Sequence, residues 1–176
     1  MDKAARATYL ERYRSGPGRL RTCYASVPAE ARTYQPGPER WSPHQIVIHV
    51  VDSDLNNLAR FRKPAAEPGG AVGVYDQDAW ARLLPYHELP TDMALDLLET
   101  YRRYTYEYLA RVSEDTWEST ILHPENGTMT LHDVLRLYAN HIDEHIRQID
   151  LTVDAWQRSQ RGEAVDPGVS FWSPLE

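Results

Sequence analysis

The sequence is short of several things that would place it quickly. It has one cysteine, Cys23, so no intrachain disulfide framework can form, and the expected setting is a reducing one, the cytosol. The opening MDKAARATYLERYR has none of the apolar core that a secretory signal carries. Nowhere does the chain approach the roughly 20 consecutive apolar residues of a membrane-spanning helix, and its mean hydropathy is −0.61, so no membrane partner is expected. Positive charge is in deficit too, with 19 Lys and Arg against 26 Asp and Glu. That balance argues against nucleic-acid binding of the usual kind, which needs clustered basic residues to displace counterions. Arg12, Arg14, Arg19 and Arg21 are spread along an amphipathic start and read as a solvated face. Fixed-period repeats and low-complexity tracts are lacking, and strand-like alternation bounded by turns is scarce.

What remains is helical pattern, so an all-α domain is the expected class. A chain of 176 residues, 41% of them hydrophobic, buries one sizeable core but not two. One domain over 1–160 is expected, followed by an irregular tail over 161–176. In that tail Phe171 and Trp172 suggest a packing contact, and Leu175-Glu176 reads as a vector-derived ending.

The first helix is expected from about Lys3 to Pro28, bent or broken at Ser15-Gly16-Pro17-Gly18. The second opens at RWSPHQ, with Ser42 as N-cap, Pro43 at the first helical position and Gln45 reaching back to close a capping box. Trp41 and Ile46 can staple that end. The helix should run to about Phe61, with Ile46, His49, Val50, Asn57 and Arg60 on one face by three- and four-residue steps. A Pro- and Gly-rich connection follows, with a short helix around Asp76 to Leu84 inside it. A third long helix is expected from Thr91 to about Val112, carrying Leu95, Leu98, Tyr101, Thr105, Tyr108 and Val112 inward. The fourth begins at TMTLHD with Thr130 capping and Asp133 three residues on; its inward stripe is Val134, Tyr138, His141, His145 and Ile149.

Two histidines four apart share a helix face, Cβ atoms roughly 5–6 Å apart, and neutral imidazoles there can close on one ion at about 2.0–2.1 Å. The same spacing also suits a pair of hydrogen-bonded core histidines. HIDEH, residues 141–145, matches the H-x-x-E-H pattern of inverted zinc proteases in letters only. Glu144 lies roughly 100° around the helix from His145, on the flank as a surface acid, and only an irregular tail follows to supply a further ligand. His49, on the inward face of another helix among Val47, Ile48 and Val50, is the best third ligand, because a charged imidazolium would be poorly solvated there. His44, His87, His123 and His132 are explained by surface or capping positions. Asp52, one turn beyond His49, is the acid nearest such a metal and a candidate proton acceptor, or else a solvent-facing acid; Asp54 points elsewhere by helical phase. Arg60 could attract an anion into the pocket, and Tyr138 either donates a hydrogen bond there or packs in the core.

The segments RWSPHQIVIHVVDSD, NNLARFR, YDQDAWARLLPY, HPENGTMTLHDVLRLYANH and HIDEH together resemble the DinB/YfiT-like superfamily of metal-binding four-helix proteins, over about Tyr9 to Ile149. The W-S-x-x-x-x-x-x-H run and the H-x-x-x-H pair carry most of the resemblance. It implies a DinB-like four-helix bundle with a long crossover between its second and third helices, and a metal held by His49, His141 and His145. It implies a homodimer acting on a small-molecule substrate. For activity it implies a metal-dependent hydrolase or, alternatively, transfer of a low-molecular-weight thiol of the bacillithiol or mycothiol type; a non-catalytic, stress-associated helical dimer is the reading from another class. Three imidazoles suit zinc first, with nickel or iron as alternatives.

Overall fold

The computed structural model describes residues 1–165, so the expectations for Phe171, Trp172, Leu175 and Glu176 lie outside the described residues. Six α-helices and one hairpin follow in chain order: α1 (Lys3–Ser26), α2 (Pro43–Asn56), α3 (Leu58–Ala66), α4 (Gln77–Leu83), α5 (Thr91–Leu109), β1 (Thr120–His123), β2 (Gly127–Thr130) and α6 (Leu131–Gln160). The long helices α1, α2, α5 and α6 form a four-helix bundle in which α1 packs on α5 and α6, and α2 packs on the same two. Among the described residues no helix is long and apolar enough to cross a membrane.

The expected break in the first helix does not occur. α1 continues unbroken past Gly16 and Pro17 and ends at Ser26, short of Pro28. Proline has no N–H to give the carbonyl four residues back, so the Tyr13 carbonyl loses its helical partner. The Arg102 Nη1 of α5 donates to that carbonyl at 3.2 Å. Gly16 supplies the room: a Cβ there would lie 2.8 Å from Arg102 Nη1 and 3.0 Å from Ile142 Cδ1. The Gly-Pro pair is thus a berth for a side chain of another helix.

The capping box of α2 is present as expected, with Gln45 N donating to Ser42 Oγ at 3.2 Å and Ser42 N to Gln45 Oε1 at 3.1 Å. α2 does not run unbroken to Phe61. It steps at Asn57, which is fully buried, donates from Nδ2 to Asp54 Oδ1 at 3.2 Å and accepts the Tyr101 hydroxyl at 2.5 Å. Helix then resumes as α3 to Ala66, beyond the expected end, so Lys63 and Pro64 belong to it rather than to the connection. The crossover from α3 to α5 includes α4, capped by the Asp76 carboxylate on Ala79 N at 2.8 Å.

The hairpin was not expected. β1 and β2 pair antiparallel with Thr120 opposite Thr130 and His123 opposite Gly127, and Gly127 takes the positive φ of 68° that its turn requires. The crossover strand adds to the free edge of β1 through a parallel bridge of Ala71 with Leu122, in which Val72 N donates to Leu122 O and Leu122 N to Gly70 O, both at 3.1 Å. This edge carries the crossover toward the histidine-bearing face. His123 and His132 are buried rather than at the surface; the capping expectation holds for His123, whose Nδ1 accepts the turn N–H groups of Glu125 and Asn126, and the Trp117 ring stacks on His132.

The apolar core has two large parts and a small third one of Ile48, Ala81 and Tyr86. Of the large parts, one gathers Tyr13, Phe61, Trp117, Leu131, Leu135 and Tyr138; the other Leu20, Ile46, Val50, Leu98, Ile142 and Ile149. Where they meet sits Arg102, the largest wholly buried side chain, paired with Asp54 at 2.5 and 3.1 Å and also donating to the Tyr138 carbonyl at 3.1 Å. The arginines of α1 are not merely solvated: Arg12 and Arg19 both reach Asp143 of α6, at 2.6 and 2.9 Å.

Candidate metal centre

His49 sits mid-way along α2, where the apolar run Ile46–Val51 packs into the bundle and carries the ring with it; the residue is 1% exposed. His141 and His145 lie on the buried stripe of α6, held in phase by the Thr130–Asp133 capping box that starts the helix. These three converge. One ligand nitrogen from each lies within 4.8 Å of the others, and nitrogens bound to a single zinc at 2.0–2.1 Å are at most about 4 Å apart. The trio is therefore within about 1 Å of the spread an ion imposes. The ring centroids of His141 and His145 are 4.4 Å apart, and those of His49 and His145 4.8 Å.

Hydrogen bonding sets which nitrogens face inward. The Gln148 Oε1 accepts from His145 Nδ1 at 2.8 Å, so the proton sits on Nδ1 and Nε2 presents its lone pair. That Nε2 is 3.1 Å from His141 Nε2. On α2, the Tyr75 hydroxyl lies 3.4 Å from His49 Nδ1 while His49 Nε2 is buried without a protein partner. A buried imidazole nitrogen left unpaired is costly unless something fills the place; His141 Nδ1 is left unpaired as well, and such orphans within a cluster of three imidazoles fit a cation. Trp41 covers the outer side of His49, its ring centroid 4.5 Å away.

Burial holds His49 and His141 well below the ordinary imidazole range. The neighbouring imidazoles push the same way, as do Arg102 and Arg60 for His141. Burial brings His145 down to about 4, against an opposing pull from Gln148. All three are neutral at pH 7, the state that binds metal. The sign of the pH dependence follows. Above about pH 6.5 these rings are neutral whether the chain is folded or not; below it the unfolded chain binds protons that the folded one refuses, so stability falls as pH falls, by up to about 1.4 kcal/mol per pH unit for each ring. Urea midpoints of metal-free protein are expected to drop steadily from pH 6.5 towards 4, and the triple replacement of these histidines by glutamine should flatten that slope.

Asp52 is half-buried beyond His49 and accepts the Tyr86 hydroxyl at 2.6 Å. Burial raises its carboxyl above the usual range against the lowering effect of that bond. It is not part of the ligand cluster. Asp54 turns the other way, as its phase requires, to meet Arg102. Tyr138 is buried among Tyr13 and Phe61, the core-packing role expected of it, and its hydroxyl accepts Arg60 Nη1 at 2.7 Å. Glu144 is exposed on the flank of α6. Three contributors had not been singled out: Gln148, whose i+3 spacing from His145 is a usable signal; Trp41, read only as a staple; and Tyr75, which reaches the site through the fold of the crossover and left no local signal.

The DinB superfamily profile matches residues 12–149. A Bacillus cereus protein named "Putative metal-dependent hydrolase" is 34% identical over 109 residues, 62% of each chain, so the described similarity spans less than two thirds of that relative's length. A protein of the same description from Halalkalibacterium halodurans is 30% identical over 134 residues, 76% of this chain and 77% of that one. Among solved structures, YfiT from Bacillus subtilis, titled a probable metal-dependent hydrolase with an unusual four-helix bundle topology, superposes with a TM-score of 0.81 at 21% identity, covering 93% of this chain and 91% of its own. With the profile matching residues 12–149 and the four-helix architecture shared with that neighbour, the chain belongs to the DinB superfamily.

Proposed function

We propose that this protein is a metal-dependent hydrolase of a small molecule, its ion held by His49, His141 and His145. The observation that carries the reading is the convergence of three neutral, buried imidazoles, two of which, His49 and His141, each keep a buried nitrogen without a protein partner. The names borne by the relatives from Bacillus cereus and Halalkalibacterium halodurans support the same class. Zinc is the first choice for such a donor set, with nickel and iron next. A divalent cation there would supply Lewis-acid polarisation and a ready source of nucleophilic water at neutral pH.

The chain's own groups do the rest. Gln148 fixes the tautomer of His145, and Trp41 and Tyr75 keep bulk water from His49. We assign Asp52 the role of accepting a proton and returning it to a leaving group, a reading supported by its raised pKa and its bond from the Tyr86 hydroxyl. Transfer of a thiol from a bacillithiol- or mycothiol-like co-substrate would need that thiol to come from outside, because Cys23 lies at the α1–α6 surface beside Asp150 and burial raises it to about 11. A homodimer is the assembly we propose, supported by Met93, Leu97 and Tyr104, which stay exposed on α5.

The expected result is stoichiometric zinc uptake by purified protein and turnover of a panel of small esters and amides that stops with a chelator and returns with metal. Product mass in the presence of added thiol separates hydrolysis from transfer. Turnover that persists unchanged in metal-free protein would defeat the reading.

A further inference from the structure

Arg60 is a cation without an acid. Its Nη1 donates to the Tyr138 hydroxyl at 2.7 Å and its Nη2 to the Gly73 carbonyl at 3.1 Å, both neutral groups, while its Nε is buried with no partner. Among the described residues no carboxylate pairs with it. Arg102, wholly buried, is matched by Asp54, whereas Arg62, with no paired acid among the described residues either, lies over the Tyr108 ring at 3.7 Å. A partly buried guanidinium satisfied only by neutral acceptors keeps a charge that water solvates poorly and the protein does not balance.

The position of that charge matters. The Tyr138 ring bonded to Arg60 stands edge-on to His141, centroids 5.9 Å apart, and the field of Arg60 reaches His141, Tyr75 and Tyr138. It reaches His123 as well. There Nδ1 accepts the N–H groups of Glu125 and Asn126 at 3.2 and 3.3 Å, which puts the ring proton on Nε2 and makes that edge a donor. Arg60 and His123, close enough for the charge of one to act on the other, thus both present donors, while the Asp52 carboxylate is held by Tyr86.

We propose that Arg60 is the anion-recognition residue of this site, taking a carboxylate or phosphate borne by the substrate while the histidine trio faces the bond to be broken. The second half of that statement rests on the proposed function; the first does not. Charge-assisted bonds from a guanidinium to a planar or tetrahedral anion are the strongest this chain can offer there.

The test uses inorganic phosphate, acetate and, as the neutral control, acetamide, titrated calorimetrically into metal-free protein at low ionic strength. Wild type is expected to bind both anions and not acetamide. Arg60→Gln, which keeps a donor for Gly73 and Tyr138 but no charge, is expected to weaken phosphate binding by about tenfold or more. Arg60→Lys keeps the charge without the fork and should fall between, and it decides the matter if the glutamine variant proves unstable. Absence of anion binding by wild type, or equal binding by the variants, overturns the proposal. Zinc uptake is measured in parallel on the same samples. Zinc bound without Arg60-dependent anion binding removes the anion subsite alone, whereas anion binding without zinc uptake removes the metal reading alone.

Discussion

Alanine at position 49 is expected to abolish stoichiometric zinc binding while the helices stay folded. His49 is the sole contribution of α2 to the cluster, and an open zinc site needs three protein ligands beside the place kept for water or substrate. Changes to outer hydrogen-bond partners of a metal site already cost 10–100-fold in affinity, so loss of a ligand should cost more than about 100-fold. The metal-free fold should lose far less. The ring is 1% exposed, but its Nε2 is buried and unpaired, so relief of that group offsets part of the cavity cost, leaving roughly 1–3 kcal/mol. His44→Ala is the control: its ring contacts the Leu89 carbonyl at 3.0 Å, away from the cluster, and should leave zinc binding unchanged. Far-UV circular dichroism with metal titration reads both effects. Wild-type zinc affinity in the His49 variant would remove the centre.

Loss of Arg102 should be the most damaging single change to stability. Arg102→Met strands the Asp54 carboxylate, which is 1% exposed, and leaves the carbonyls of Tyr13 and Tyr138 without that donor. Breaking a buried pair by removing one partner costs about 3–5 kcal/mol. A well-packed apolar substitute for both partners is often neutral, so Arg102→Met with Asp54→Leu should recover most of the loss. Urea denaturation of the two single variants and the double variant closes the cycle. A single variant that loses less than about 1 kcal/mol would mean that the pair does not hold the bundle together.

The parts of this protein that could be read in the sequence are those whose causes lie within a few residues. Ser42 with Gln45, Thr130 with Asp133, and Asp76 before α4 are local hydrogen-bond patterns, and each is where it was expected. The four-residue step from His141 to His145 is likewise a property of one helix, and the apolar run around His49 points the third ring inward. Arg102 was invisible for the opposite reason: its partners Asp54 and Tyr13 are 48 and 89 residues away, and nothing beside it distinguishes it from Arg103, which is exposed. Gly16-Pro17 looked like a break because the rule for proline counts the bond lost within the helix and not a donor arriving from outside. The hairpin is built of strands of four residues each, too brief for alternation to register, although Asn126-Gly127 is a turn signal in its own right.

The missing N–H at residue 17 has a consequence for how this chain can change over time. Gly16 and Pro17 on α1, Asp54 on α2 and Arg102 on α5 meet around a single guanidinium, so no one of these positions can drift alone. A descendant that replaced the arginine would have no further use for the proline, and one that regained an amide there would close the helical ladder against the guanidinium. Across a family tree, the four letters should be kept or abandoned together.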